Sequence, residues 1–288
     1  MFWVLNAPLR LVPTQLLAGS SMPSPAPCIS RPVQACEDGV IKDTTKSIEM
    51  ALVTLIGRLF FNGLNEATIL HRDRLLACTL ERPAGTGLMT VMNHTSTVDL
   101  PFTLGALMPN KALWEARMLC WTLAALDMCF RDPFRAAFFS NGRLMPVDRH
   151  AGIEQPMLGA FSQRLANGEW VHVFPEGRVS RDGEMAAFRR GAARVLYDAY
   201  TAERAVPIVL PLYQDGSHLI LGVKKRIPRI GNKVGICVGE PIDVRPFIAS
   251  LHSQGKSRDE ILTALTDLLF DAVKKAREEL RSLHSTAQ

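Results

Sequence analysis

A histidine and an aspartate lie five positions apart in the stretch TVMNHTSTVDLPF, residues 90–102. His94 follows an apolar run that is typical of a short buried strand, and sites in open α/β sheets gather at the carboxyl ends of strands. Asp99 could fix the tautomer of the imidazole while the second ring nitrogen takes a proton from an attacking hydroxyl. This pattern predicts a general base with its orienting carboxylate. The alternative is a solvated loop histidine beside an aspartate that caps a helix.

A regular helix alone cannot bring these two side chains together. Five residues rotate about 500° around a helix axis, which leaves the two side chains roughly 140° apart. We therefore expect the chain to bend at Asn93 and His94, so that Asp99 can reach back to the imidazole. No nucleophilic serine or cysteine accompanies His94, so direct attack by a substrate hydroxyl is the simplest mechanism. Backbone amides near His94 are expected to stabilise the oxyanion.

A second polar turn follows another predicted strand, Trp170–Phe174. Glu176, Gly177 and Arg178 come next, and they supply a turn, a close approach of the backbone and a cation for phosphate. The alternative is an ordinary strand-terminating turn with a surface salt bridge. Arg149 follows a further predicted strand, RLMPV, and adds a second candidate cation.

The elements that must position these residues alternate between strands and helices. The predicted strands are Leu88–Met92, RLMPV around Met145, Trp170–Phe174, Val206–Leu212, Leu219–Val223 and Val234–Val238. The predicted helices run from Pro156 to Asn167, from Glu184 to Ala202, and onward from Ser257, which opens a capping box with Glu260. The alternation predicts an α/β domain, a mixed sheet flanked by helices, from residue 48 to 288. A Pro/Ser-rich leader, residues 1–47, precedes it.

Two apolar stretches, Met50–Phe61 and Leu113–Phe130, raise the question of a membrane. The first is shorter than the roughly 20 residues that a spanning helix needs, and the second carries three charged residues. Either stretch could lie in the membrane interface as an amphipathic helix. The alternative for both is an ordinary buried helix.

Composition places the chain among globular proteins, since 47% of its 288 residues are hydrophobic and 21% are charged. The net charge of +5 is compatible with an anionic partner such as a phospholipid headgroup. The six cysteines show no zinc-like or C-x-x-C spacing, so free thiols are expected. The first 36 residues lack Asp and Glu, which is a trait of organelle-targeting segments.

The polar blocks together resemble the glycerolipid acyltransferase superfamily, whose pattern runs N-H-x-x-x-x-D, a G…R block, F-P-E-G and a V/I-P-I strand. FFSNGRLMPVDR, GEWVHVFPEGRVS and PIVLPLYQDG are further similar to blocks of the tafazzins, which are mitochondrial phospholipid–lysophospholipid transacylases. The resemblance covers roughly residues 65–280. It departs from most acyl-CoA-dependent relatives, which have F-P-E-G-T-R-S where this chain has Arg178 and Val179, and the departure argues against a simple acyl-CoA enzyme.

The resemblance implies a glycerol-3-phosphate acyltransferase-like fold with an interfacial membrane helix at about Leu113–Phe130 and a second anchor at Met50–Phe61. It implies that His94 is the general base and Asp99 its partner. It assigns the contacts with lipid phosphate to Arg149, Glu176, Gly177 and Arg178. Neither a cofactor nor a metal belongs to this mechanism.

The implied activity is the CoA-independent transfer of acyl chains between phospholipids and lysophospholipids, cardiolipin included. The implied location is the surface of a mitochondrial membrane facing the intermembrane space, with no nucleic-acid partner. One rival is an acyl-CoA-dependent lysophospholipid acyltransferase on the same fold. Others are a hydrolase and a non-catalytic lipid-binding platform. The oligomeric state stays open.

Overall fold

The structure, a computed structural model, describes residues 52, 54–109, 119–202, 206–223, 225 and 227–286. The predicted leader, residues 1–47, lies outside this part of the chain, as do residues 113–118 of the predicted interfacial helix.

The strands of the described chain are β1 Glu66–Leu70, β2 Leu88–Met92, β3 Trp121–Ala125, β4 Leu144–Val147, β5 Trp170–Val173, β6 Ile208–Asp215, β7 Lys233–Val238 and β8 Ile242–Asp243. The helices are α1 Arg72–Leu76, α2 Asp99–Leu107, α3 Leu126–Cys129, α4 Pro133–Asn141, α5 Pro156–Ala166, α6 Gly191–Thr201, α7 Ser217–Ile220, α8 Arg245–Ser253 and α9 Arg258–Thr286. Leu52, helical residues 54–58, the π-helical turn Leu59–Gly63 and its C-cap Leu64 form the N-terminal segment. A second π-helical turn, Ala77–Glu81, extends α1.

All eight strands belong to one mixed sheet with the order β1-β7-β6-β2-β5-β3-β4, and β8 pairs with β6. Strand β2 pairs in parallel with both β5 and β6, whereas β7 runs antiparallel to β6. In the β2–β5 register Val91 stands opposite Val173. The turns after these two strands, which hold His94 and Glu176, therefore emerge side by side at one edge of the sheet.

Helices cover both faces of the sheet. Strand β2 shows the alternation, since Met89 and Val91 pack into the core on one face and Leu88 and Met92 into the core on the other. The first core is completed by α5, α6 and α9, and the second by the N-terminal segment, α1 and α2. A parallel strand buried on both faces is almost continuously apolar, as in the predicted strand Leu88–Met92, whose one polar residue is Thr90.

The predicted interfacial helix Leu113–Phe130 is wrong over its second half. Trp121–Ala125 is strand β3, which pairs in parallel with β5 on one side and β4 on the other. Leu119 and Cys120 are buried just before it. An internal parallel strand produces the same uninterrupted apolar run as an interfacial helix, so composition alone did not separate the two.

Two other predicted elements differ from the structure. The apolar run Leu219–Val223 was expected to be a strand, but α7 occupies Ser217–Ile220 after a tight turn at Gly216, whose φ is +85°. The helix expected from Glu184 begins instead at Gly191. Residues 184–189 stay non-helical because their backbone N–H groups bond elsewhere; that of Arg189 donates to the Pro175 carbonyl.

The N-terminal segment exposes an apolar face, with Leu52, Leu55, Ile56 and Leu59 between 46% and 58% accessible. Its opposite side is anchored by Phe61, which is fully buried. Among the described helices, none combines the length and the apolarity that crossing a bilayer requires.

Candidate active site

His94 and Asp99 meet at the carboxyl end of β2. The imidazole Nδ1 lies 2.9 Å from Asp99 Oδ2, and Asp99 is fully buried. A carboxylate only accepts hydrogen bonds, so Nδ1 carries the proton and Nε2 is left with a lone pair. Helix α2 begins only at Asp99, so the residues between His94 and Asp99 are not helical. The chain bends there, as expected, and Asp99 reaches back to the imidazole. The arrangement has the geometry of a general base with its orienting carboxylate.

Asp99 also organises the turn that carries His94. Its Oδ2 accepts hydrogen bonds from the backbone N–H groups of Thr95 and Ser96 at 2.6 and 2.8 Å. The position at the start of α2 further favours a negative charge. Three of the amides near His94 are engaged in the turn itself and are not free for an oxyanion, because those of Thr95 and Ser96 donate to Asp99 and that of His94 donates to Glu176.

The side chain of Asn93, the residue before the histidine, is held by two hydrogen bonds to the backbone of Gln214. Asn93 Nδ2 donates to the backbone carbonyl of Gln214 at 2.8 Å, and the backbone N–H of Gln214 donates to Asn93 Oδ1 at 2.9 Å. The Gln214 side chain in turn donates to the hydroxyl of Thr95. The sequence carries no signal that would link Gln214 to Asn93, 121 positions away.

Glu176 lies beneath His94 and not in contact with solvent or groove, which corrects its predicted role at the lipid phosphate. It is 2% exposed, and its two oxygens accept from the backbone N–H groups of His94 and Ala186 at 2.9 and 3.1 Å. Burial raises the pKa of this carboxyl, and the bond from the His94 amide opposes that rise. Glu176 is therefore a brace for the backbone of the turn.

Phe174, the residue after β5, stacks on the imidazole of His94 with ring centroids 3.9 Å apart and an interplanar angle of 17°. The flat contact fixes the plane of the ring, while Asp99 fixes its rotation. On its far side Phe174 meets His172 edge-on, at 4.6 Å. The sequence showed these aromatic residues only as part of a buried strand.

His172 is a neutral core histidine. Burial, and to a smaller extent the charge of His94, lowers the pKa of His172 to about 3. Its Nδ1 lies 2.8 Å from the hydroxyl of Thr90, and its Nε2 has no hydrogen-bond partner among the described residues.

His172 should make the fold sensitive to mild acid. Below pH about 6.5 the His172 ring binds a proton in the unfolded chain but not in the folded chain. The free energy of unfolding should therefore fall by about 1.4 kcal/mol per pH unit. This loss begins as pH drops through the unfolded value and continues toward the folded value of about 3. The free energy of unfolding can be measured by urea titration at several pH values between 7.5 and 5. Plotted against pH, it should fall less steeply for His172→Asn than for the wild type. Parallel slopes would contradict the assignment.

A groove with a volume of about 810 Å³ opens beside His94. Its walls are mostly apolar and come from α2, β3, α4 and the loop before α5, through Leu100, Leu104, Leu123, Phe134, Phe138 and Ile153. The size and the apolar lining are typical of a pocket for a hydrophobic small molecule. The imidazole is only partly accessible, at 18% of its side chain, so the groove is its route to a substrate.

Arginines line the same groove, and they include both cations predicted from the sequence. Arg149 lies in the wall but pairs with the exposed carboxylate of Asp127 at 2.7 Å. Arg178 also lines the groove, and in the described part of the chain its guanidinium makes no hydrogen bond or close ion pair, although Asp182 lies near enough to interact with its charge. Arg189 was not singled out by sequence reasoning; it donates to the Arg149 carbonyl at 3.3 Å.

Gly177 has a structural reason to be glycine. Its φ is +65°, in the left-handed region, and a Cβ there would stand 3.0 Å from Cδ of Arg189. The glycine thus lets the side chain of Arg189 pass close over the turn.

No covalent nucleophile accompanies the base in the described residues. The hydroxyl of Ser96 donates to the Leu221 carbonyl and not to His94. Cys129 lines the groove, but burial raises the pKa of its thiol, which keeps it protonated near neutral pH. The geometry favours a hydroxyl brought by the substrate.

The chain is similar to known acyltransferases. The Acyltransferase family model matches residues 78–213, which include His94, Asp99 and Glu176. Tafazzin from Drosophila melanogaster is 30% identical over 236 residues, 82% of this chain and 61% of the fly protein. Taffazin from Dictyostelium discoideum is 31% identical and covers 82% of each chain. N-acylphosphatidylethanolamine synthase from Arabidopsis thaliana is 32% identical over 66% of this chain and 68% of the plant protein.

The fold has a solved counterpart. The crystal structure of the 1-acyl-sn-glycerophosphate acyltransferase PlsC from Thermotoga maritima superposes with a TM-score of 0.52, covering 85% of this chain and 87% of that one at 17% identity. The predicted acyltransferase-like α/β fold is thereby confirmed. Identity of 31% over 82% of the Dictyostelium protein then decides the family. The chain belongs to the tafazzin family of acyltransferases.

Proposed function

We propose that this chain moves acyl chains between phospholipids and lysophospholipids without CoA, with His94 as the general base. The observation that carries the proposal is the His94–Asp99 pair, 2.9 Å apart, on the wall of an apolar groove of about 810 Å³. Both acyl donor and acyl acceptor are then lipids, and the groove holds their chains beside the imidazole. Family membership supports the reaction class, because two relatives are named as tafazzins.

The reaction follows from the tautomer of His94. Nε2 takes the proton from the free hydroxyl of a lysophospholipid as the hydroxyl oxygen attacks the ester carbonyl of a second phospholipid. The imidazolium is stabilised by the side chain of Asp99, which is hydrogen-bonded to Nδ1. When the tetrahedral intermediate collapses, the old ester C–O bond breaks and the proton passes to the departing glycerol oxygen. One ester replaces another, so the exchange is nearly thermoneutral and reversible.

The arginines of the groove would hold the lipid phosphates. Arg178 makes no close ion pair in the described chain, so it can turn to a phosphate without breaking one. Arg149 would bind a phosphate in place of its exposed partner Asp127 or together with it. The cost is small, because an exposed salt bridge of this kind contributes only about 0–1 kcal/mol. Glu176 takes no part in phosphate binding in this scheme, and Gly177 serves to admit Arg189.

Purified protein, a phospholipid labelled in one acyl chain, and an unlabelled lysophospholipid test the proposal in the absence of CoA. Label should appear in the former lysolipid, at a rate that does not rise when acyl-CoA is supplied. Transfer that begins only with acyl-CoA would instead establish the acyl-CoA-dependent acyltransferase. Release of free fatty acid without transfer would indicate a hydrolase, and neither product would indicate a lipid-binding platform.

The proposed setting is the surface of a mitochondrial membrane facing the intermembrane space, with cardiolipin among the substrates. Moving a diacyl lipid into water costs about 0.8 kcal/mol per exposed CH₂, so an enzyme with two lipid substrates should work at the bilayer. The N-terminal segment supports this setting because its apolar face is exposed while Thr54, on the other side, lines the groove. The anchor predicted at Met50–Phe61 is thus retained in the proposal.

Charging the exposed face of the N-terminal segment should detach the protein from membranes. Leu55 and Ile56 are 58% and 46% exposed, so Leu55→Glu/Ile56→Glu should leave the fold intact. Full burial of one such side chain in the bilayer contributes about 1.5–3 kcal/mol, so the loss of even half of that at both positions predicts a fall in liposome binding of about tenfold or more. Sedimentation with liposomes measures the change. Leu283→Glu, at an equally exposed leucine of α9, is the matched control and should sediment like the wild type.

A further inference from the structure

A second cavity, with a volume of about 340 Å³, lies outside the groove, between the loop after β5 and the connection from α7 to β7. Its lining includes Arg181, Lys225, Arg229 and His218, together with Ile227. We call it the basic pocket. We propose that the basic pocket binds the phosphate of an anionic phospholipid in the bilayer on which the enzyme sits, separately from the lipids that react.

The charge of the basic pocket is uncompensated. Arg181, Lys225 and Arg229 are all exposed, and within the described chain none of their side chains forms a hydrogen bond or an ion pair. Cations near an anionic membrane surface are each worth about a fivefold gain in binding. Many of the other arginines of this protein are paired, as Arg258 is with Glu154 at 2.8 Å. Three unpaired cations around one cavity therefore point to an anion supplied from outside the chain.

Apolar side chains next to these cations favour a bilayer over a soluble anion. Ile227 is 82% exposed and Ile230 is 64% exposed, and both lie in the same connection as Lys225 and Arg229. Isoleucines among cations present the two chemistries of a membrane surface, acyl chains and phosphate, within one short loop. Exposed isoleucines would contribute nothing to the binding of free phosphate.

The basic pocket is connected to the site and to the N-terminal segment. The Ser180 amide, one residue before Arg181, donates to the His94 carbonyl at 2.7 Å. The hydroxyl of Ser96 donates to the Leu221 carbonyl at 2.6 Å, and Leu221 begins the α7–β7 connection. That connection is joined in turn to the N-terminal segment, because the Gly231 amide donates to the Leu64 carbonyl. A lipid bound in the basic pocket would therefore hold the His94 turn at a fixed position against the membrane.

Flotation of the full-length protein with vesicles tests the proposal without any measurement of turnover, so its outcome is independent of the proposed transfer reaction. The vesicles are phosphatidylcholine with or without added phosphatidylglycerol, at constant ionic strength. Lys225→Gln/Arg229→Gln should weaken binding to the anionic vesicles about 25-fold and leave binding to the neutral vesicles unchanged. The control variant Lys274→Gln/Lys275→Gln removes the same charge from two exposed lysines of α9. It should change binding to the anionic vesicles and binding to the neutral vesicles by less than twofold each.

A second pair of variants separates a bilayer from a soluble anion. Ile227→Ser/Ile230→Ser should weaken binding to both kinds of vesicle, and inorganic phosphate should not displace the wild type from anionic vesicles at matched ionic strength. An equal loss in the α9 control pair would overturn the proposal, because binding would then follow total charge. Displacement by inorganic phosphate together with no effect of the isoleucine variants would overturn it too, as the pocket would then be a site for free phosphate.

Discussion

His94→Ala is expected to lower the turnover of acyl transfer by about 10²- to 10⁴-fold, which is the usual contribution of a positioned general base. The turn should survive the substitution, because its backbone is held independently of the ring: the His94 amide donates to Glu176 and the His94 carbonyl accepts from Ser180. The measurement is the initial rate of label transfer from phospholipid to lysophospholipid, with equal binding to liposomes and an unchanged melting temperature as evidence of folding.

A neighbouring histidine gives the matched control. His150 is exposed and its side chain has no hydrogen-bond partner in the described chain, so His150→Ala should alter turnover less than twofold. Imidazole added to His94→Ala should restore part of the rate, since the groove leads to the space that the ring vacates. A full rate in His94→Ala would remove the proposed base from the mechanism.

The His94–Asp99 contact was predictable because local chemistry determines it. A helix cannot unite two residues five apart, so a functional pair demanded a bend, and the hydroxyl-rich stretch between them supplies the backbone amides that stabilise the bend. The strand before His94 was equally predictable from its mostly apolar run, in which Thr90 is the one polar residue. Both inferences needed only neighbours in sequence.

The role of Glu176 was not predictable in the same way. A carboxylate after a strand has one appearance in sequence whether it faces a groove or turns inward, and here it turns inward to meet amides 82 and 10 positions away. The partnership of Asn93 with Gln214 likewise depends on the pairing of β2 with β6. Contacts between strands distant in sequence leave no local pattern, so they emerge only with the topology.

Apolarity alone also failed to decide between membrane and core. The stretch Leu113–Phe130 and the segment around Leu55 are similarly hydrophobic, yet β3 lies inside the sheet while Leu55 is 58% exposed. The difference comes from hydrogen bonding, since β3 pairs with β5 through Trp121 and Thr122 and with β4 through Thr122–Ala125, which places its side chains in the sheet and in the wall of the groove. Charges in β3 would therefore disrupt the sheet, whereas the exposed face of the N-terminal segment can be charged without altering the core.

Asp99→Asn is expected to lower turnover about 10²-fold while the turn keeps its shape. The amide oxygen of the asparagine can take the place of Oδ2, where it still accepts from Thr95, from Ser96 and from Nδ1 of His94. What disappears is the negative charge that stabilises the imidazolium, and a hydrogen bond to a charged group contributes about 1.5–3 kcal/mol.

A double-mutant cycle then tells whether Asp99 acts through His94. If the carboxylate serves only to position and stabilise the ring, Asp99→Asn has nothing left to remove once the ring is gone. His94→Ala/Asp99→Asn should therefore turn over at the rate of His94→Ala alone, with a coupling energy equal to the whole effect of Asp99→Asn. If the asparagine slowed the His94→Ala enzyme by the same factor as the wild type, Asp99 would be acting on the turn and not on the base. The buried carboxylate would then be structural, and the three hydrogen bonds to its Oδ2 would exist for the fold alone.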